Sequence, residues 1–332
     1  MKSVGGFGIA NIDIIFGNAH RMPRLGEEVY SESCSQQLGG GAVATLIQLS
    51  RLGVPVKLAT YIGEGPLSRY LVKELKKNKI EYRNMLSTEE RDPVTLSCVV
   101  SCNQDRGIIS YKPKETAFEV KKKKIYEFYE DCQIAFLSLE QKELCKPLKE
   151  AGCTIVLDSA WNDMLSLEWY YDIFPYVDYF IPNAMEAMKI TGADTPVQAL
   201  ETLAEYLKNP IVKNGNEGCM YKANGEIYVI EPLPVNHVDS TGAGDAFAAG
   251  FMYGLYYGYT LDDCIRFGNI TGGNAVTKMG CLAAEMDREK LFKYFCEVYG
   301  RQKNAIKKIS DGFDVGSALL DTEPTFFRML KI

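Results

Sequence analysis

The 332-residue sequence has few of the residues on which several large protein classes depend. Its only histidines are His20 and His237, and no zinc-ligand or hydrolase motif surrounds either of them, which argues against a zinc site or a Ser-His-Asp triad. The pattern G-x-x-x-x-G-K-S/T of a P-loop is absent, so this cradle for phosphate is excluded. No segment reaches the ~18 uninterrupted apolar residues that a transmembrane helix needs. We therefore expect a soluble protein.

The ten cysteines never occur as C-x-x-C, and most lie within apolar stretches. This distribution is typical of reduced thiols in the cytoplasm and not of a disulfide framework. The net charge of −6 lacks the basic excess that attracts nucleic acids or anionic membranes. The lysine run at 121–124 is interpreted as a solvated helix start. We expect a cytoplasmic protein that binds neither nucleic acid nor membrane.

Short apolar runs alternate with segments of helical spacing along the first two-thirds of the chain. This alternation predicts an α/β fold with a mainly parallel central sheet flanked by helices on both faces, because parallel neighbours need long crossovers and helices supply them. Two stretches, about 14–38 and 93–112, interrupt the alternation, and the second is typical of a hairpin that turns at Asn103–Gly107. They predict a small β-sheet lid at one end of the main sheet.

The C-terminal third is predicted to be helical from about residue 239. Residues 1–300 are interpreted as one major domain. Residues 301–332 carry a weak apolar pattern and are predicted to be a C-terminal extension that packs on the domain or on a partner subunit.

The segment 239–251, DSTGAGDAFAAGF, is a polar, glycine-rich turn that leads directly into an apolar helix. The first turn of a helix presents unpaired N–H groups and the positive end of the helix dipole. The backbone of Gly242, Ala243 and Gly244 is therefore a candidate anion hole for a phosphoryl group. Asp245 stands beside it, where a carboxylate can take a proton from an attacking hydroxyl. Taken alone, Asp245 would equally suit an acidic first helical turn.

The whole run D-S-T-G-A-G-D-x-F-x-x-G resembles the second signature of the ribokinase/PfkB family of carbohydrate kinases. GGGAVATLIQLSRLG, which begins at Gly39, resembles the first signature. The resemblance covers about residues 3–299. It implies a ribokinase-like fold, ATP and Mg²⁺ as cofactors, a sugar-like acceptor and a homodimer formed through the lid.

The resemblance also implies roles for individual residues. On the substrate side it points to Asp13, Gly40, Gly41 and Ala44. On the nucleotide side it points to Asn183, Lys213, Gly215, Gly218, Asn269 and Gly280. Glu186, in the motif N-x-x-E, would order Mg²⁺ indirectly, and Asp239 would belong to a monovalent-cation site that suits K⁺. Taken singly, Asp13 and Asp239 suit turns and Asn183 suits a helix cap, but their order and spacing match the family.

Three residues depart from the family pattern. Ala44 stands where the family usually has an asparagine that binds a sugar hydroxyl, and a methyl group cannot make that bond. Gly65 stands where aspartate is common, and Ser68 where glycine is common. Because all three positions are on the acceptor side, we expect an intact phosphoryl-transfer site that faces an altered acceptor pocket.

The leading interpretation is an ATP-dependent phosphotransferase that acts on a hydroxyl of a sugar or a sugar-like molecule, with Asp245 as base. One alternative is a nucleoside kinase of the same superfamily. Another is a kinase-derived binding or regulatory protein that has lost turnover, which Ala44 favours. The glycines at 5, 6 and 8 also suggest the hypothesis of a dinucleotide-binding oxidoreductase, but their spacing lacks the final small residue of that motif.

Overall fold

A six-stranded parallel sheet lies at the centre of the computed structural model, which describes residues 2–86, 92–102, 105–113, 122–160, 162–300, 306–310 and 313–314. The strands are arranged in the order β10-β9-β8-β1-β4-β5, and every neighbouring pair is parallel. Their bounds are β1 Ser3–Phe7, β4 Val56–Thr60, β5 Glu81–Asn84, β8 Cys132–Leu137, β9 Thr154–Leu157 and β10 Tyr179–Phe180. The predicted parallel central sheet is confirmed.

An antiparallel sheet continues from the β10 side of the central sheet. Parallel bridges join Phe180 to Pro210 and Asn183 to Lys213, so its first strand lies beside β10. The bounds are β11 Ile211–Lys213, β12 Cys219–Ala223, β13 Glu226–Ile230, β14 Ile306–Ser310 and β15 Phe313–Asp314. The last two strands are the described part of the predicted extension; the rest of 301–332 lies outside the described residues.

A separate four-stranded sheet has the order β3-β2-β6-β7. Its strands are β2 Asn11–Gly17, β3 Ser33–Leu38, β6 Thr95–Cys102 and β7 Asp105–Tyr111. β2 and β6 are parallel, whereas the other two pairs are antiparallel. The two interrupting stretches thus form a small sheet outside the main one. The small sheet begins at Asn11 instead of about residue 14. The tip of the predicted hairpin, 103–104, lies outside the described residues, and movement of this sheet as a lid remains a prediction.

Helices cover both faces of the central sheet. Successive side chains of a strand point to opposite faces, and along β8 the residues Ile134 and Phe136 enter one apolar core while Ala135 and Leu137 enter another. Helices α1, α2, α7, α8 and α9 contribute to the first core, and α3, α4, α5 and α6 to the second. Their bounds are α1 Ala42–Arg51, α2 Pro66–Lys77, α3 Lys122–Tyr129, α4 Cys145–Glu150, α5 Ala184–Thr191, α6 Pro196–Leu203, α7 Ala243–Tyr257, α8 Leu261–Ala275 and α9 Arg288–Val298.

Helix α7 is held tightly against α8. A Cβ placed on Gly250 would lie 2.3 Å from the carbonyl oxygen of Phe267, and one on Gly254 would lie 2.7 Å from Sγ of Cys264. The two backbones therefore approach more closely than any side chain at these positions would allow, and overpacking such a contact typically costs about 1–3 kcal/mol. This packing fixes the N-terminus of α7, which carries the glycine-rich motif.

None of the helices in the described part of the chain combines the length and apolar character needed to cross a bilayer. The ten cysteines are all free thiols, six of them buried. Burial raises the pKa of the Cys145 thiol to about 12, so this group stays protonated at neutral pH. The cytoplasmic location remains a prediction.

Candidate active site

Three candidate site residues, of which Asn183 and Lys213 were predicted, follow neighbouring strands at the carboxyl edge of the sheet. Asp158 comes directly after β9, Asn183 follows β10, and Lys213 is the last residue of β11. Ligands of open α/β sheets bind outside the carboxyl ends of the strands. The N-terminus of α7 reaches the same edge, because a Cβ on Gly244 would lie 3.3 Å from Nζ of Lys213.

Asp245 lies in the first turn of α7 and contacts the first signature segment. Its Oδ1 accepts hydrogen bonds from the N–H of Gly41, at 3.0 Å, and from the hydroxyl of Thr45, at 3.4 Å. A Cβ on Gly40 would lie 2.6 Å from its Oδ2, so only glycine permits this approach. The two signatures, 200 residues apart, thus meet at one carboxylate.

The surroundings of Asp245 favour its neutral form. Burial, and then the negative charge of Asp158, raise its pKa to about 7, although Lys213 and the hydrogen bonds from Gly41 and Thr45 act in the opposite direction. A carboxylate with such a pKa accepts a proton at neutral pH far more readily than an ordinary aspartate. The geometry and the pKa both suit a general base.

The turn before α7 is shaped to receive an anion. Gly242 caps the helix in the left-handed conformation, with φ of 76°, and a Cβ there would lie 2.2 Å from Cβ of Cys281. The first-turn N–H groups of Gly244 and Asp245 are among those for which a helix supplies no carbonyl partner. Together with the helix dipole they favour a phosphoryl group at this position.

Lys213 supplies a positive charge to the same place. Its Nζ lies 3.2 Å from Oδ1 of Asp158, with 12% and 19% of the two side chains exposed. Burial lowers the pKa of Lys213, but the carboxylates of Asp158, Glu186 and Asp245 outweigh it, so the net shift is upward. Lys213 therefore remains an ammonium group. Sequence reasoning missed Asp158, although an acid that directly follows a buried parallel strand is a signal for this edge.

Asn183 and Glu186 form a capping box at the start of α5. The N–H of Glu186 donates to Oδ1 of Asn183 at 2.9 Å, and the N–H of Asn183 donates to Oε2 of Glu186 at 2.9 Å. The same Oε2 accepts the hydroxyl of Ser159 at 2.7 Å, although only 6% of Glu186 is exposed. The motif is thus a helix cap that fixes the buried carboxylate of Glu186 beside Asp158. Burial, and to a smaller extent the charge of Glu186, raise the pKa of Asp158.

These two carboxylates, Asp158 and Glu186, fit the indirect binding of Mg²⁺. No group of three or more His, Cys, Asp and Glu side chains within the described ranges is arranged to hold a metal ion. Mg²⁺ in phosphoryl-transfer sites takes most of its ligands from water and phosphate oxygens, with one or two carboxylates from the protein. The chain therefore offers what such a site requires.

Asp13 lies on the small sheet, buried in β2. The amide of Asn11 donates to its Oδ1 at 2.6 Å, and the hydroxyl of Ser97 donates to Oδ1 of Asn11 at 3.2 Å. The hydroxyls of Ser97 and Ser110 lie 2.9 Å apart. Three strands of the small sheet thus orient the predicted substrate-binding carboxylate. Asn11, Ser97 and Ser110 were not predicted, because cross-strand pairing that joins them is not visible in the sequence.

The departures at Gly65 and Ser68 have a structural explanation. Asp92 accepts hydrogen bonds from the N–H groups of Leu67 and Ser68, at 2.8 and 3.0 Å, and from the Ser68 hydroxyl at 2.5 Å. A Cβ on Gly65 would lie 2.1 Å from Oδ2 of Asp92. The carboxylate that caps α2 therefore comes from residue 92. Ala44 is fully buried in α1, and the next side chain, Thr45, is the one that contacts Asp245.

Two of the remaining nucleotide-side residues, Gly218 and Asn269, meet at the end of β13. Gly215 and Gly218 have positive φ, 56° and 93°, and a Cβ on Gly218 would lie 2.2 Å from the carbonyl oxygen of Ile230. The amide of Asn269 donates to the carbonyls of Ile230 and Glu231 at 2.9 and 3.0 Å. Asn269 thus fixes the backbone that follows β13, and a nucleotide contact at these residues remains a prediction.

Asp239 joins two loops beside the anion hole. Its Oδ1 accepts the N–H and the hydroxyl of Thr241, at 3.0 and 2.7 Å, and its Oδ2 accepts the N–H of Gly280 at 2.8 Å. Asp239 thus links the turn before α7 to Gly280, and a monovalent cation at this position remains a prediction. Burial, and then the charges of Asp245, Asp13 and Asp239, raise the pKa of the neighbouring Cys281. Three of the four predicted acids, all except Glu186, therefore influence one thiol.

Comparisons with known proteins bear on the family and the fold. The family model described as pfkB family carbohydrate kinase matches residues 1–288. The chain is 26% identical over 285 residues to a 2-dehydro-3-deoxygluconokinase of Bacillus subtilis, which covers 78% of this chain and 87% of that protein. A putative ribokinase from Agrobacterium tumefaciens has a similar structure, with a TM-score of 0.77, 19% identity and coverage of 91% of this chain and 99% of that one.

Arabidopsis thaliana ribokinase complexed with ribose and ATP is also similar in structure, with a TM-score of 0.74, 22% identity and coverage of 89% of this chain and 99% of that one. The predicted fold is thereby confirmed as ribokinase-like. Since the family model spans most of the sequence, the chain belongs to the pfkB family of carbohydrate kinases.

Proposed function

We propose that this protein transfers the γ-phosphoryl group of ATP to a hydroxyl of a sugar or a sugar-like molecule, with Asp245 as the general base. The observation that carries the proposal is the position of the Asp245 carboxylate, which joins the N–H of Gly41 to the N-terminal turn of α7. Both oxygens of this carboxylate lie against predicted acceptor residues, Oδ1 at the N–H of Gly41 and Oδ2 2.6 Å from the position of a Cβ on Gly40, while Asp245 itself belongs to the helix turn of the proposed anion hole.

In this mechanism Asp245 accepts the proton of the acceptor hydroxyl as its oxygen forms the new bond to phosphorus. The bond between phosphorus and the oxygen of the β-phosphate breaks, and ADP leaves. The first-turn N–H groups of α7 stabilise the charge on the transferred group. Mg²⁺, when bound, would neutralise phosphate charge, with Glu186 and Asp158 holding its water ligands. Because the base and the anion hole belong to one helical turn, their separation is fixed.

The acceptor side supports a polyhydroxyl molecule. Asp13 accepts a hydrogen bond from Asn11, which in turn accepts one from the hydroxyl of Ser97. The hydroxyl of Ser97 also pairs with that of Ser110, so this sheet offers both hydrogen-bond acceptors and donors. Such a surface recognises adjacent hydroxyls, which sugars, sugar acids and the ribose of nucleosides share. The relatives named as sugar kinases favour the first two classes.

Asp245→Asn tests the proposal together with an ADP-release screen over hexoses, pentoses, polyols, sugar acids, sugar phosphates and nucleosides. With the acceptor that the screen identifies, the variant is expected to bind ATP normally and to lose about 10²–10⁴-fold in kcat. Asp172→Asn, an exposed aspartate on the surface, is the control and keeps its activity.

Each other outcome has a definite meaning. Turnover of Asp245→Asn within a fewfold of the wild type would remove Asp245 from the mechanism. ADP release with nucleosides alone would make the protein a nucleoside kinase, and ligand binding without ADP release by any compound would make it a binding or regulatory protein.

We propose a bound cation and a homodimer as two further properties of the protein. K⁺ binds beside Asp239, which is supported by its contacts to both Thr241 and Gly280. The protein forms a homodimer through the small sheet, because Ile109 and Tyr111 on one face of its edge strand β7 are 81% and 64% exposed. A second copy of the same apolar face is a complementary partner for such a surface.

A further inference from the structure

The ammonium group of Lys213 lies beneath the helix turn that forms the anion hole. Nζ is 3.2 Å from Oδ1 of Asp158 and 3.3 Å from the position of a Cβ on Gly244. We propose that Lys213 is a second catalytic residue, which neutralises the phosphoryl group during its transfer. This inference rests on the proposed phosphotransferase function, and it gives Lys213 a role that differs from simple binding of the nucleotide.

The hydrogen bonds of Lys213 leave room for a ligand. Among the described residues, the side-chain partner of Nζ is Asp158, whereas an ammonium group carries three N–H donors. The ring of Phe247 lies 5.9 Å away and covers part of the group without accepting a conventional hydrogen bond. Phosphoryl oxygens bound at the N-terminus of α7 would satisfy the donors that remain.

The burial of the ion pair between Lys213 and Asp158 calls for a reason other than stability. Burying an ion pair is seldom favourable for stability alone, because both charges lose water. Here the pair stands at the sheet edge beside the N-terminus of α7, with the ammonium group 3.3 Å from the position of a Cβ on Gly244. In the transfer step the proton of the acceptor goes to Asp245, and Lys213 keeps its own proton.

Lys213 differs from the surface cations in its fixed position. The backbone N–H of Lys213 donates to the carbonyl of Pro182 at 3.0 Å, and β11 pairs with β12 from Ile211 to Lys213. The residue therefore starts from a rigid strand end, and the charge does not need to be ordered when the substrate binds.

Lys213→Met tests the inference with a binding measurement that needs no acceptor. Calorimetry compares the Mg²⁺ complexes of β,γ-imido-ATP, which has a γ-phosphoryl group, and ADP, which has none. We expect affinity for the ATP analogue to fall about 10-fold or more and affinity for ADP to fall less than 3-fold. With the identified acceptor, kcat should fall about 10²–10³-fold, as for loss of a single oxyanion-hole donor. Lys213→Arg, which keeps the charge, should restore much of the discrimination.

Lys149→Met is the matched control. Lys149 forms a part-buried ion pair with Asp178, which accepts the N–H of Ile155 at the opposite end of the strand β9. This variant should keep both affinities and kcat, and thermal unfolding shows whether either variant remains folded. Equal losses for the two nucleotides, or a kcat within 3-fold of the wild type, would overturn the role of Lys213. Loss of function in Lys213→Met with full activity in Asp245→Asn would instead count against the proposed base.

Discussion

Asp245 couples pH to both activity and stability. Burial and Asp158 raise its pKa from 3.8 to about 7, so the folded protein binds this proton more tightly than the unfolded chain does. Ionisation of Asp245 therefore lowers the free energy of unfolding as pH rises from about 4 to about 7. In the proposed mechanism catalysis has the opposite dependence, because only the ionised carboxylate can take the proton of the acceptor hydroxyl.

Two measurements check this residue. In a pH profile of kcat/KM for the free enzyme, activity should fall as pH decreases through about 7. Asp245→Asn, which removes the charge, should raise the free energy of unfolding at pH 8 by about 1 kcal/mol, or Tm by roughly 2 °C, and should change it little at pH 4. The exposed control Asp172→Asn should show no such pH-dependent gain. A Tm of Asp245→Asn below that of the wild type at pH 8 would contradict the prediction.

The sequence predicts individual residues well where they form one continuous motif. The run from Asp239 to Asp245 was predicted correctly to combine a glycine turn with the start of a helix. Asp158 and Thr45 were missed, because their roles depend on contacts with residues 55 and 200 positions away. Gly65 makes space for a cap from another segment, which the sequence did not predict, and an altered acceptor pocket at this position remains a prediction.

The N-terminal cap of helix α2 is supplied by a residue from a different segment of the chain. Asp92 accepts two backbone N–H groups of the first turn, and its segment leads directly into β6. Loss of a single cap typically costs about 1 kcal/mol. The contact therefore stabilises the helix and also anchors the base of one strand of the small sheet.

A pair of substitutions tests this exchange of caps. Asp92→Gly should lower the free energy of unfolding by about 1–2 kcal/mol. Gly65 has an extended backbone that any residue adopts, so Gly65→Asp in the Asp92→Gly background should restore part of the loss, whereas alone it should destabilise by overlap with Asp92. Denaturant unfolding measures all four proteins. Asp287→Gly removes the cap of α9 and is the control that Gly65→Asp should not rescue. Equal effects of Gly65→Asp in both backgrounds would rule out the exchange.

Among the secondary-structure elements, the sequence predicts the regular βα units and misses the antiparallel strands at the sheet edge. The hairpin of β12 and β13 turns at Asn224 and Gly225, both with positive φ, so its turn chemistry was present in the sequence. The strands themselves are short and only partly apolar. Their pairing depends on β11, which joins the sheet through β10.

At the scale of the whole molecule, the proposed homodimer depends on one edge of the small sheet. Strand β7 is an edge of the small sheet, and the side chain of Ile109 is largely exposed on it. Ile109→Glu should convert a dimer into a monomer in sedimentation velocity at micromolar concentration, because two buried like charges would face each other. Met164→Glu, at an exposed apolar residue away from this sheet, should leave the dimer intact. A monomeric wild-type protein would exclude the proposed assembly.

The general architecture was predictable because the alternation of strands and helices repeats along the chain, whereas the arrangement of its parts was not. The positions of the small sheet and of the edge hairpin depend on long-range pairings such as those of β2 with β6 and of β10 with β11. No local pattern encodes these pairings.

In the proposed mechanism, the hydrogen bond from Gly41 to Asp245 bears on how readily ATP is hydrolysed when no acceptor is bound. While no acceptor is present, an N–H and a hydroxyl of the protein occupy one oxygen of the base. A water molecule at this position has to compete with those donors and lacks the contacts to Asp13 that a polyhydroxyl ligand makes. Under the proposed mechanism, a base engaged in this way favours an alcohol with several hydroxyls over water as the acceptor, which would limit hydrolysis of the nucleotide.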